Sequence, residues 1–182
     1  MRRILFLFAI ICLSACKNSG LGSGYFYLTS EEASDVGYPY GSIIYQAGKE
    51  YVFNKVCVFA QVTKVMSLNK VVLIKQNVDS ALLYKLVSDD ITFWNQHFKK
   101  TGKDSLVNIA GEKHSIQSLP KNIQSDVAAK DFITNNPKLS LILNNKVNYY
   151  ILDLRSNILS DPFSLNEFRS ECKRLGIEEV FE

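Results

Sequence analysis

The chain has 182 residues, 47% of them hydrophobic, and four cysteines, which suits one ordinary domain with a real core and excludes a disulfide-stapled miniprotein. Its formal net charge is +3. Arg2 and Arg3 supply most of that excess, so the rest of the chain carries no field to attract nucleic acid or an anionic lipid surface, and no nucleic-acid partner is expected.

Met1, Arg2 and Arg3 precede an apolar run from Ile4 to Leu13, well short of the roughly 20 residues of a membrane-spanning helix. A basic start, a brief apolar core and small residues before a cut site are the parts of a secretory signal peptide. The segment "LSAC", Leu13 to Cys16, resembles the lipobox of bacterial lipoproteins, whose cysteine receives a diacylglyceryl group and becomes the acylated first residue after cleavage. The resemblance implies that residues 1–15 are the signal, Cys16 is the lipidation site and the membrane is reached through that anchor. Several acyl chains hold firmly, since each buried methylene contributes about 0.8 kcal/mol. Lys17 stands where inner-membrane lipoproteins of enteric bacteria keep an acidic residue, so the resemblance favours the outer membrane, facing the periplasm. "KNSGLGSG", Lys17 to Gly24, has the composition of a flexible tether with a reach of about 15 Å. Residues 16–24 are therefore read as lipidated cysteine and tether, and residues 25–182 as a single α+β domain.

"YFYL" from Tyr25 reads as a strand, and Thr29 with Glu32 has capping-box spacing for a one-turn helix. "VGYPYGS" reads as a turn, Ser42 to Gln46 as a strand, and Tyr51 to Val65 as a long strand with Val56, Val58, Ala60 and Val62 on one face. "SLNK" turns the chain back into "VVLIKQ", which predicts an antiparallel meander, because each connection is too short for a parallel crossover. From Asn77 the pattern changes: Leu83, Val87, Ile91, Trp94 and Phe98 share a helical face, continuous or broken at "SDD", with Lys99, Lys100 and Gly102 at its end. Lys103 to Asn122 lacks periodicity and is expected to be rich in loops. "SDVAAKDFITNNP" predicts a short helix stopped at Pro137. "LSLIL", Leu139 to Leu143, and "VNYYILDL", Val147 to Leu154, predict a hairpin across "NNK". Ser164 and Glu167 form a second capping box, opening a helix with Leu165, Phe168, Cys172 and Leu175 on one face and Gly176 as its stop. The expected fold is α+β: an antiparallel sheet, a helical insertion from Asn77 to Lys103, and a C-terminal helix packed on the sheet.

The tail "YYILDLRSNILSDPFSLNEFRSECKRLGI" resembles the end of a family of small bacterial lipoproteins known only as a domain of unknown function. Tyr149, Tyr150, Ile151, Asp153, Pro162, Phe163, Glu167, Phe168, Leu175, Gly176 and Ile177 match that pattern, and Asp161 replaces its usual glycine. The motif is structural, covers about a fifth of the chain, and implies no activity, substrate or cofactor.

Chemistry-bearing motifs are scarce. His97 and His114 are the two histidines, without metal-ligand spacing, and no serine lies in a nucleophile elbow. No catalytic residue, metal site or cofactor is predicted. Asp89 with Asp90, and Glu178 with Glu179, are adjacent pairs that read as solvated surface. Asp153 closes an apolar strand, where an aspartate commonly accepts bonds from turn amides. With Cys12 in the signal and Cys16 lipidated, Cys57 and Cys172 are left as a candidate disulfide, a buried free thiol being the other reading. Tyrosines crowd the start of the domain, which suits a binding surface and equally the aromatic cross-strand pairs of a plain sheet; Tyr38 and Tyr40, flanking Pro39 in a turn, are the pair expected to be exposed and the candidate binding pair. The leading expectation is a non-catalytic envelope lipoprotein that binds a protein, peptide or wall component. The alternatives are an immunity or inhibitor lipoprotein, or a small envelope hydrolase without a recognisable motif.

Overall fold

The computed structural model describes residues 20–48, 56–109, 112–121, 126–178 and 181, so Cys16 and the signal segment lie outside the described residues. The fold is α+β, with two four-stranded antiparallel sheets and a separate hairpin among the described residues. The first sheet runs β1 (Gly20–Gly22), β2 (Tyr25–Leu28), β3 (Ile43–Gln46), β4 (Val56–Val58) in spatial order. In the second, β10 (Ile158–Leu159), β9 (Val147–Asp153), β6 (Val71–Asn77) and β5 (Val62–Leu68) lie side by side. Among the described residues no helix is long and apolar enough to cross a membrane.

Period-2 alternation explains the layering. In β6, Val72 and Ile74 join Tyr150 and Leu152 of β9 in a core shared with Tyr25, Ile44 and Val58 of the first sheet. The intervening Leu73, Tyr149 and Ile151 face the other way, onto Phe168, Cys172 and Phe181. The second sheet is thus buried on both faces, which is why β6 and β9 read as almost unbroken apolar runs. The C-terminal helix α5 (Leu165–Arg174) covers the outer face, opened by the Ser164–Glu167 capping box and closed at Gly176, where Ile177 N–H bonds the Cys172 carbonyl at 2.9 Å. Tyr149 stacks on Phe168 with ring centroids 5.0 Å apart.

A third and largest core cluster joins the first sheet to the helical part. It holds Leu28 and Ala33, from the end of β2 and from the capped helix α1 (Ser30–Asp35), together with Ile43 and Val56. Against them lie Leu83, Leu86, Val87 and Ile91 of α2 (Ser80–Thr101), a 22-residue helix. Asp79 caps its start, and it runs through "SDD" without a break. Gly102 ends it in the left-handed region, φ 65°, with its N–H on the Phe98 carbonyl, a conformation that costs a Cβ-bearing residue energy.

Four expectations need correction. The long strand from Tyr51 is interrupted, and its residues 51–55 lie outside the described residues. At Ala60 and Gln61, φ 44° and 70°, the chain corners from β4 of the first sheet into β5 of the second. Gln76 stabilises that corner by donating from Nε2 to the Phe59 carbonyl, while its Oε1 accepts from Tyr150 Oη at 2.8 Å and Asn148 Nδ2 at 3.2 Å. "LSLIL" is helical: Asn136 caps α4 (Pro137–Ile142), and Pro137 starts that helix instead of ending α3 (Asp126–Thr134). Proline lacks the N–H that a first helical residue has no use for. Consequently β9 forms no hairpin with Leu139–Leu143 and pairs with β6 and β10. The insertion between β6 and β9 also extends well past Lys103, through the hairpin β7 (Leu106–Ile109) and β8 (Glu112–Ser115), a 3-10 turn at Ile116–Ser118, α3 and α4. Finally, the glycine-rich stretch is not all tether, since Gly20–Gly22 pair with β2 and Ser23 Oγ donates to the Leu154 carbonyl at 2.9 Å.

Candidate functional site

Helix α2 carries a carboxyl on its apolar side. Counting at 3.6 residues per turn, Asp90 lies seven positions after Leu83, three after Val87 and four before Trp94, which puts a carboxyl inside the helix's own apolar arc. The side chain cannot turn wholly away from that arc. It is largely buried beside Asp89, and burial first, then the Asp89 charge, raises its pKa to about 7 from an ordinary 3.8. Among the described residues Asp90 receives no hydrogen bond. Asp89 is better provided: its Oδ2 accepts from Tyr40 Oη at 2.8 Å and from Lys85 Nζ.

The segment between α1 and β3 closes over this part of the helix. Tyr38 N–H bonds the Ala33 carbonyl at 2.8 Å, which draws the chain back onto the end of α1 and carries the Tyr38 ring inward. Gly41 follows with φ 92°, and a Cβ there would stand 3.3 Å from Gln61 N, so a glycine lets the chain pass the β4–β5 corner into β3. Tyr40 is thereby held edge-on to Tyr38, centroids 5.0 Å apart. The result is a pocket of about 200 Å³ lined by Gly37, Tyr40, Asp89, Asp90, Phe93, Trp94 and Asn108 of β7. Phe93 is 55% exposed and meets Trp94 edge-on at 5.0 Å, giving the pocket an aromatic wall.

Tyr38 and Tyr40 were expected as an exposed pair, and here the structure differs. Tyr38 is 1% exposed, and its hydroxyl has no hydrogen-bond partner among the described residues. Its pKa is driven well up by burial, then by the Asp90 and Tyr40 charges. Tyr40 is half-buried, and burial followed by the bond to Asp89 raises its pKa too. The turn is folded back on α2 because its aromatic rings complete the large core cluster. Asp89 and Asp90 are likewise not a freely solvated pair.

The remaining candidates do not assemble into a site. Cys57 and Cys172 are not bridged: Cys57 packs with the core between the two sheets and Cys172 on the sheet-facing side of α5, on opposite faces of the second sheet. Asp153 accepts from Arg155 N at 2.9 Å and Nε at 3.1 Å, and the Arg155 side-chain bond chiefly holds its carboxyl below the usual range. His97 is exposed, 5.7 Å edge-on from Trp94, and the His114 ring lies 5.1 Å from Phe132. Glu178 is exposed, and Glu179 lies outside the described residues. Among the described residues no group of three or more His, Cys, Asp or Glu side chains could hold a metal ion. A broader depression of about 620 Å³ lies between the β5–β6 turn and the end of α5, lined in part by Lys70, Arg155 and Ile177. Arg155 is committed to Asp153 there, so the smaller pocket on α2 is the better-built site.

No family model, curated protein or solved structure matches this chain. Its functional reading therefore rests on its own residues. The signal for the pocket was present in the helical spacing of Asp90 among Leu83, Val87 and Trp94. What spacing alone could not convey was that Tyr38 and Tyr40 fold over the same helix face.

Proposed function

We propose that this chain is a lipid-anchored, non-catalytic binding module of the bacterial envelope, tethered through Cys16 to the outer membrane and engaging a protein, peptide or wall component at the α2 pocket. The observation that carries the binding reading is the Asp90 carboxyl, which receives no hydrogen bond from the described residues, in an open pocket beside the exposed Phe93 ring. Aromatic area next to a polar contact is the composition of binding hot spots. The lipobox-like "LSAC" supports the anchor. Since β1 begins at Gly20, only three residues separate it from Cys16, and Gly20 lies within about 14 Å of the acylated position. The folded body is held close to the lipid surface.

The test is capture from envelope extracts by the lipidated full chain in detergent. Capture of a defined partner that weakens at least tenfold with Phe93→Ala, while the melting temperature holds, supports the site. Capture indifferent to Phe93→Ala and Asp90→Asn removes it, and steady turnover of wall, peptide or ester substrates overturns the non-catalytic reading.

A further inference from the structure

Resting on the reading of this pocket as a binding site, we infer that its occupant is an organic cation, the ammonium or guanidinium end of a lysine or arginine side chain on a protein or peptide partner, received against Asp90 with its hydrocarbon stem along Phe93 and Trp94. Size points to a single side chain: the pocket measures about 200 Å³, below the roughly 300–1,000 Å³ of sites for free small molecules. Charge gives the sign. Lys85 is already paired with Asp89, whereas Asp90 receives no hydrogen bond from the described residues, so an anion would be repelled and a cation would find an unmatched carboxylate. The walls agree, because aromatic faces attract ammonium and guanidinium groups, more strongly where water is excluded. A hydrated divalent ion is a poorer fit, since it demands more oxygen ligands than two carboxyls and a phenol supply.

The Tyr38 hydroxyl is an independent observation. It is buried, lacks a hydrogen-bond partner among the described residues, and is electrostatically coupled to Asp90. A buried hydroxyl without an acceptor is costly. Asp90 is the charge that acts most strongly on that hydroxyl, so a cation held at Asp90 changes the surroundings of both groups.

Among the described residues, the titratable and charged groups around Asp90 are Asp89, itself paired with Lys85, on its own helix, and Tyr38 and Tyr40 from the segment after α1; β7 adds the uncharged Asn108. Both tyrosines stay protonated at neutral pH because their pKa values are raised. Asp90 titrates there, and a cation entering near pH 7 displaces its proton to solvent. Affinity falls as pH drops below 7, approaching about tenfold per unit.

Trp94 is the single tryptophan of the chain and lines the pocket, so its fluorescence reports occupancy. The full chain in detergent is titrated with N-acetyl-lysinamide, N-acetyl-argininamide and the uncharged N-acetyl-norleucinamide at pH 6 and pH 8. The inference expects a saturable change with the two basic probes, at least fivefold tighter at pH 8, at least tenfold weaker with Asp90→Asn, and partly restored with Asp90→Glu. No saturation at pH 8, an equal response to the norleucine probe, or binding unaffected by Asp90→Asn overturns it. Should the Asp90 variants fail to fold, the pH arm on the unaltered chain decides alone. Partner capture that depends on Phe93 but not on pH or Asp90 sinks the cation inference and leaves the binding module standing. Capture that depends on neither Phe93 nor Asp90 removes the pocket as a site.

Discussion

The Tyr40 hydroxyl donates to Asp89 Oδ2 at 2.8 Å across 49 positions of sequence, joining the segment after α1 to the middle of α2. A half-buried bond to a charged acceptor contributes about 1.5–3 kcal/mol. Tyr40→Phe should therefore lower the stability measured in urea by about 1–2 kcal/mol while leaving the far-ultraviolet spectrum unchanged. Phe93→Ala, which removes an exposed ring, should stay within about 0.5 kcal/mol of the parent. Equal losses in the two variants would mean that the segment is not held by this bond.

Asp90 makes stability fall with pH. Its folded value of about 7 stands above the ordinary 3.8, so between about pH 4 and 7 the folded chain keeps a proton that the unfolded chain has released, and the cost of a buried charge is fully expressed above 7. Asp90→Asn lacks this term. The variant should match the parent near pH 4 and exceed it at pH 8 by up to about 4 kcal/mol, read as the difference between two pH series of urea unfolding. A constant difference across the range would show that Asp90 is ordinarily ionised in the folded chain.

Gln76 is the hinge-pin of the β4–β5 corner. Gln76→Leu would leave the Tyr150 hydroxyl and the Phe59 carbonyl without their partners in a dry interior. The expected loss is about 2–4 kcal/mol, compared with roughly 1 kcal/mol for Tyr150→Phe. Calorimetry on the two variants separates a shared network from an isolated bond.

Cys57 and Cys172 should remain unbridged even under oxidising conditions, because a β-sheet stands between them. Melting with and without reductant should coincide, and the buried Cys172 thiol, whose pKa burial raises, should react with thiol reagents only on unfolding. A reductant-sensitive transition would contradict the layering itself.

Cys16→Ser should abolish labelling by a fatty-acid probe and leave the precursor uncut, since serine offers no thiol for the thioether. Persistent labelling would place any acyl group elsewhere.

Local signals carried a good part of the architecture. Two capping boxes, Thr29–Glu32 and Ser164–Glu167, the apolar stripe of α2, the stop at Gly102 and the strands around Ile44, Val72 and Tyr150 are legible because each rests on residues within a turn or two of one another. The α+β class follows from their mixture. What depended on distant partners was not legible. Ala60 and Gln61 gave no local sign of cornering between sheets, since their positive φ is enforced by Gln76, whose side chain holds the adjoining Phe59 carbonyl from a neighbouring strand. Leu139 to Leu143 has strand composition, yet Asn136 and Pro137 start a helix whose apolar side is buried by the core. At the site, the chain declared an acid within an apolar helical arc, but only tertiary packing laid Tyr38 and Tyr40 over it. Burial and charge proximity, which no local spacing encodes, convert two adjacent aspartates into one paired carboxylate and one that titrates near neutrality.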